Sequence, residues 1–107
     1  MNKTDFINED TFFERILELV KNEKSFKFYV KDKSKNEPKF FKSSYKHECG
    51  HIFLFVEFGE NWSQMMLWKD SFGNPITWDD IRDHLLSFIS DHTLQGRTYS
   101  LDESSIK

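Results

Sequence analysis

Most of what staples, punctuates or anchors a small protein is scarce in this chain. Cys49 is the only cysteine, which excludes an intrachain disulfide and a multi-cysteine metal knuckle. Glycines number four and prolines two, and no internal repeat, low-complexity tract or linker is visible. No apolar run is long enough to cross a membrane. The opening residues, Met1-Asn2-Lys3-Thr4-Asp5, lead into an acidic amphipathic segment rather than a signal peptide, so a cytoplasmic protein with no membrane partner is expected. Net charge is only −3, and its sign argues against nucleic acid as the main ligand.

What the chain does have is aromatic mass. Twelve phenylalanines, three tryptophans and three tyrosines carry enough buried area for a core despite a hydrophilic average. At 107 residues this predicts one globular domain, with residues 1–6 and 102–107 frayed. Intrinsic disorder across the chain is excluded by the same aromatics.

Charge is sorted along the sequence. Residues 51–91 hold seven acids (Glu57, Glu60, Asp70, Asp79, Asp80, Asp83, Asp91) against Lys69 and Arg82. Residues 21–48 hold nine lysines against Glu23, Asp32, Glu37 and Glu48. The lysines read as ordinary solubilising charge on exposed strand faces, with a local phosphate-binding patch as the other possibility. An acidic half on a compact module suits a basic partner.

Hydrophobic period changes along the chain. Phe12, Phe13, Ile16, Leu17, Leu19 and Val20 recur at helical spacing and predict an amphipathic helix over residues 8–22. Asn8 is placed to cap it, with Glu9 and Asp10 at the favourable end of its dipole. Phe26, Phe28 and Val30 alternate with polar neighbours as in a half-buried strand. A polar loop over residues 33–38 leads to a second strand at 40–45. In residues 52–58 both alternating sets are largely apolar, which predicts a central strand covered on both faces. Residues 62–69 return as its partner. Thr77 caps a second helix whose stripe is Trp78, Ile81, Leu85, Phe88 and Ile89, ending near Asp91. Residues 97–101 complete the set as a short strand. The expectation is an α+β fold, an antiparallel sheet of four to five strands packed by an N-terminal and a C-terminal helix.

One motif invites chemistry. His47-Glu48-Cys49-Gly50-His51 matches His-Glu-x-x-His, in which two histidines one helical turn apart bind zinc beside a glutamate base. Glu57 is then available as a third ligand. The geometry needs a helix, whereas Gly50 and the strand-like residues after His51 argue for a polar turn. A turn without zinc is therefore expected, and a minimal zinc metallopeptidase on His47, His51 and Glu57 stands as the alternative. A Cys49 nucleophile paired with a neighbouring histidine fails on local geometry. His84 and His92 read as solvent-facing or helix-end residues, and Asp79 with Asp80 as dipole-complementing acids. Trp62, Gln64, Met66 and Trp68 share one face of their strand, while Met65, Leu67 and Lys69 share the other. The plain reading makes Trp62, Met66 and Trp68 core; the sharper one places at least one tryptophan at the edge of an interface beside Glu57, Glu60 and Asp70.

The run Phe55-Val56-Glu57-Phe58-Gly59-Glu60-Asn61-Trp62-Ser63-Gln64-Met65-Met66-Leu67-Trp68, followed by a glycine-containing turn and an acid-started helix, resembles immunity proteins of bacterial contact-dependent growth inhibition systems. The resemblance covers the second half of the chain. It implies a cytoplasmic, non-enzymatic, cofactor-free protein that binds one cognate toxin domain, often a nuclease, in a 1:1 heterodimer. On this reading the contact residues are Glu57, Glu60, Asn61, Trp62, Trp68, Asp70, Asp79, Asp80 and Asp83. The same physics fits a phage-type inhibitor or another interaction module.

Overall fold

The computed structural model describes residues 6–32, 37–90 and 96–107. The order is α1 (Glu9–Lys21), β1 (Phe26–Lys31), β2 (Lys39–Glu48), β3 (His51–Phe58), β4 (Trp62–Lys69), α2 (Trp78–Ser90) and β5 (Thr98–Asp102). A single 3-10 turn, Glu103–Ser105, follows. The fold is α+β, with an antiparallel five-stranded sheet ordered β4-β3-β2-β1-β5. Strands β1 to β4 form a meander because their short polar connections allow only neighbour pairing. β5 returns to the far edge beside β1.

Local chemistry sets the helix starts. The Asn8 side chain accepts the backbone N–H of Thr11 at 2.8 Å, and the Thr77 hydroxyl accepts that of Asp80 at 3.3 Å. Both caps are those the sequence predicts. Glu9 does more than complement the dipole. It accepts from the Arg97 guanidinium at 3.1 Å and from the Tyr99 hydroxyl, which ties α1 to β5. Burial, and then the Glu9 contact, pushes the Tyr99 hydroxyl above its ordinary range.

Both helices pack on the same face of the sheet. Phe12, Phe13 and Ile16 of α1 and Ile81, Leu85 and Phe88 of α2 share one core with Phe28, Phe41, Leu54 and Val56. The helices also meet each other, with Trp78 against Phe13 and Arg82 over the Phe13 ring. The core that the periodicity predicts, Phe12, Ile16, Leu19, Phe28, Leu54, Val56, Trp78, Ile81, Leu85 and Phe88, lies here, although Trp78 is only half-buried. Phe41 is the hub, at centroid distances of 5.3 Å from Phe28, 4.8 Å from Phe58 and 6.1 Å from Phe88.

Three expectations need correction. β3 is an interior strand, yet the helices cover only its Leu54 and Val56 side. Residues 102–107 do not fray. Ser105 Oγ accepts the N–H of Lys27 at 2.7 Å, the N–H of Lys107 donates to the Ser25 carbonyl, and Ile106 packs against the core. Lys69 also leaves the face predicted for it. A bulge between β3 and β4 pairs Ile52 with Lys69 but Phe53 with Leu67, so one residue of β4 is extra. Lys69 is thereby turned to the helix side, where it meets Glu23 at 2.8 Å. The predicted readings of residues 1–5, the loop at 33–36 and the helix end at Asp91 and His92 lie outside the described residues.

Candidate functional site

The His-Glu-x-x-His stretch is a hairpin. Glu48 pairs with His51 and His47 with Ile52, leaving Cys49-Gly50 as a two-residue turn. Both turn residues have positive φ, 52° and 81°, the signature of a type I′ hairpin, and this conformation is what Gly50 supplies. The histidines therefore never lie one helical turn apart. Glu57 sits six residues along β3 from His51, about 20 Å away, beyond reach of any shared ion. No group of three metal-ligating side chains occurs among the described residues. Cys49 is exposed at the hairpin tip, and a ring nitrogen of His51 lies 3.0 Å from its carbonyl oxygen. The fold thus overturns the ligand set His47, His51 and Glu57 by placing it on strands.

The expected acidic surface is split three ways. Glu57 lies on the sheet face away from the helices, directly opposite Lys42. Glu60 and Asn61 are exposed in the β3–β4 turn, followed by Trp62 at 59 % exposure. Asp79, Asp80 and Asp83 are exposed on the N-terminal half of α2. That end of the helix lies near Trp68, whose carbonyl accepts the N–H of Ile76 at 2.9 Å. Trp62 is six residues back along β4, about 20 Å away. These acids do not converge on one patch.

Trp68 is a correction. At 6 % exposure it belongs to the core, because its face of β4 is the one the helices cover. Of the two candidate tryptophans only Trp62 is accessible. Asp70 is committed to its own loop, where its Oδ1 accepts the N–H groups of Phe72 at 2.9 Å and Asn74 at 3.0 Å. The Asn74 backbone bond foremost, then the Phe72 bond, the Asn74 side chain and the charge of His51, hold this carboxyl below its ordinary range.

An acid held below its unfolded value stabilises the fold above about pH 4, and that contribution fades as pH falls through the lower folded value. Asp70→Asn is accordingly expected to lower the melting temperature near neutrality. The gap from the parent should narrow steadily as pH falls below about 4. A gap independent of pH in paired thermal melts would place the effect elsewhere.

What the fold does assemble is an uncovered sheet face. Cross-strand pairing puts Phe53 opposite Leu67, Phe55 opposite Met65 and Tyr29 opposite Phe40. None of these six belongs to the buried core, and no described helix packs on their side. Phe40 is 40 % and Met65 42 % exposed. Lysines are interleaved with them. Lys27 and Lys42 sit opposite each other on β1 and β2, and Lys46 Nζ stands 4.3 Å from the Phe55 ring centroid. Glu57 and Asp102 occupy the same face, opposite Lys42 and Lys27 in register. The sequence did carry the signal for this surface. Phe53 and Phe55 made both phases of β3 apolar, which reads as double burial when no partner chain is considered.

Comparison with protein-family models, with curated proteins and with solved structures finds no match to this chain. What the fold and face define is therefore a class by geometry: an α+β layer with one sheet face buried under helices and the other open.

Proposed function

We propose that this chain is a non-enzymatic, cytoplasmic protein-binding module of the immunity type, which neutralises a cognate toxin domain by docking its uncovered sheet face on it. The observation that carries this reading is the apolar cluster Phe53, Phe55, Met65 and Leu67 on a face that no described helix covers. Phenylalanine and methionine side chains in contact with one another, ringed by charge, are the composition of an interface centre. Because the lysines share the face with Glu57 and Asp102, a mixed protein surface complements it better than a phosphate backbone does.

A second placement of the contact has its own support. Glu60, Asn61 and Trp62 project from the β3–β4 turn, and an exposed tryptophan beside a carboxylate fits the basic cleft of a nuclease. Insertion of this turn would retain the nuclease-inhibitor reading with a smaller contact than the sheet face offers.

Sequencing the gene next to this one for a toxin domain, and co-expressing that domain with this chain, tests the proposal. The expected result is restored growth and a 1:1 complex in size-exclusion chromatography with light scattering. A neighbouring toxin that neither binds the purified protein nor is neutralised by it would remove the immunity reading.

A further inference from the structure

The two edges of the sheet differ, and neither belongs to the open face. β5 forms one edge, and Ile7 guards it. The Ile7 N–H donates to the Tyr99 carbonyl at 2.7 Å, and the Tyr99 N–H donates to the Ile7 carbonyl at 2.8 Å. β4 forms the other edge. Among the described residues, backbone bonds from outside the sheet reach it only at its C-terminal end. There the Ile76 N–H donates to the Trp68 carbonyl at 2.9 Å, and Lys69 bridges to Pro75. Residues 62–66 lie clear of that cover.

An edge strand turns every second backbone N–H and carbonyl outward, and native sheets guard such rows with charge, proline or a bulge. The bulge of β4 lies between Leu67 and Lys69, beside the end that Ile76 already occupies. The rest is unguarded. Trp62-Ser63-Gln64-Met65-Met66-Leu67-Trp68 holds no charged residue and no proline. Two of its side chains are exposed large apolar groups, Trp62 in the phase of Met66 and Trp68, and Met65 in the opposite phase. A strand laid along this edge covers part of both.

The occupant that fits is a second copy of β4. Antiparallel pairing about a two-fold axis sets each residue near the axis against its own copy or a close neighbour, so any charge there repels itself. This strand has none. Opposed residues share a face of the sheet, so the axis must pass between two like residues. An axis at Met65 would set Trp62 against Trp68, where Ile76 already stands. An axis at Gln64 avoids that clash. Gln64 then faces Gln64 of the second copy, Ser63 faces Met65, and Trp62 faces Met66. A glutamine amide both donates and accepts, which makes it complementary to itself. A thioether beside an indole ring is likewise a favourable contact.

We infer that the protein self-associates into a dimer by antiparallel pairing of β4 with β4, centred on Gln64, which joins two five-stranded sheets into one. The dimer closes on itself, because the edge that would extend it further is guarded by Ile7. Both open faces stay uncovered, so each copy still takes one toxin domain. A ladder of this length makes a small interface, under about 1,200 Å² in total, which places the dissociation constant in the micromolar range.

Sedimentation equilibrium of the untagged protein between about 1 μM and about 1 mM tests this. A monomer–dimer equilibrium is expected. Gln64→Lys sets like charges across the axis and should weaken self-association at least about tenfold, as should Gln64→Glu. An equimolar mixture of the two variants should recover it, since opposite charges then meet at the axis, a recovery that misfolded chains do not give. The inference is overturned by a monomer throughout the range, by open-ended larger assemblies, or by Gln64→Lys dimerising as the parent does. Failure of the mixture to recover the dimer overturns the register centred on Gln64. The toxin reading survives each of these results, because it concerns a different surface.

Discussion

Phe41→Ala is expected to cost the fold about 3–5 kcal/mol, the range for deleting a fully buried ring. Phe41 is wholly buried on β2, the middle strand of the sheet, and touches the rings of Phe28, Phe58 and Phe88. It therefore joins β1, β3 and α2 at a single point, and its loss leaves a cavity that no one neighbour can fill. Domains of this size hold about 5–15 kcal/mol in total, so the variant should sit close to its unfolding threshold. Urea titration should show a lower midpoint with an unchanged slope, because the surface exposed on unfolding is nearly the same. Phe41→Leu keeps much of the volume and should cost clearly less. Equal costs for the two variants would mean that the ring contacts contribute nothing beyond occupancy.

The second large effect is on binding. Phe55→Ser combined with Met65→Ser should weaken the toxin complex by about 2 kcal/mol or more, roughly thirtyfold, as expected for residues at the centre of an interface. Thermal stability should change little, since the pair is one cross-strand contact on an open face, worth about 0.2–1 kcal/mol. The control is Asp79, Asp80 and Asp83, all changed to Asn on the opposite side of the molecule. That triple variant should bind as the parent does if the sheet face is the contact. The reverse outcome, with the helix variant defective and the sheet variant intact, would return the contact to the acidic helix and the basic-cleft reading with it.

Much of the architecture was legible because period and caps are local signals. Asn8 and Thr77 announce their helices, and the change from helical spacing to alternation at Phe26 marks the first strand. Sheet topology followed from short connections, apart from the return of β5 to the far edge, which no local signal encodes. Burial was legible only to the extent that alternation distinguishes two faces. Phe53 and Phe55 looked buried because apolar side chains on both faces read the same whether a helix or a partner protein covers them. Trp68 and Trp62 share a face and differ only in how far along β4 the helices reach, which depends on packing rather than pattern.

The candidate contact residues were harder to read. Sorting of charge along a sequence is not sorting in space. Glu57 and Asp79 stand on opposite sides of the sheet although both belong to the acidic half, because Glu57 falls in the phase of β3 that points away from the face on which α2 packs. Asp70 looked like surface charge but is the acceptor that shapes its own loop. The bulge that turns Lys69 toward Glu23 has no signature in the sequence either. His-Glu-x-x-His shows the converse error, a strong motif whose meaning depends on a helix that the Cys49-Gly50 turn forbids.

The central claim is that the uncovered sheet face is where the partner docks, and two adjacent methionines allow it to be tested directly. Met65 is 42 % exposed on that face, while Met66 is 5 % exposed under the helices and serves as an internal reference. Oxidation by dilute peroxide, followed by mass spectrometry, should convert Met65 quickly in the free protein and leave Met66 largely unmodified. In the saturated toxin complex Met65 should be protected to the level of Met66. Unchanged oxidation of Met65 in a complex shown to be fully formed would contradict the account.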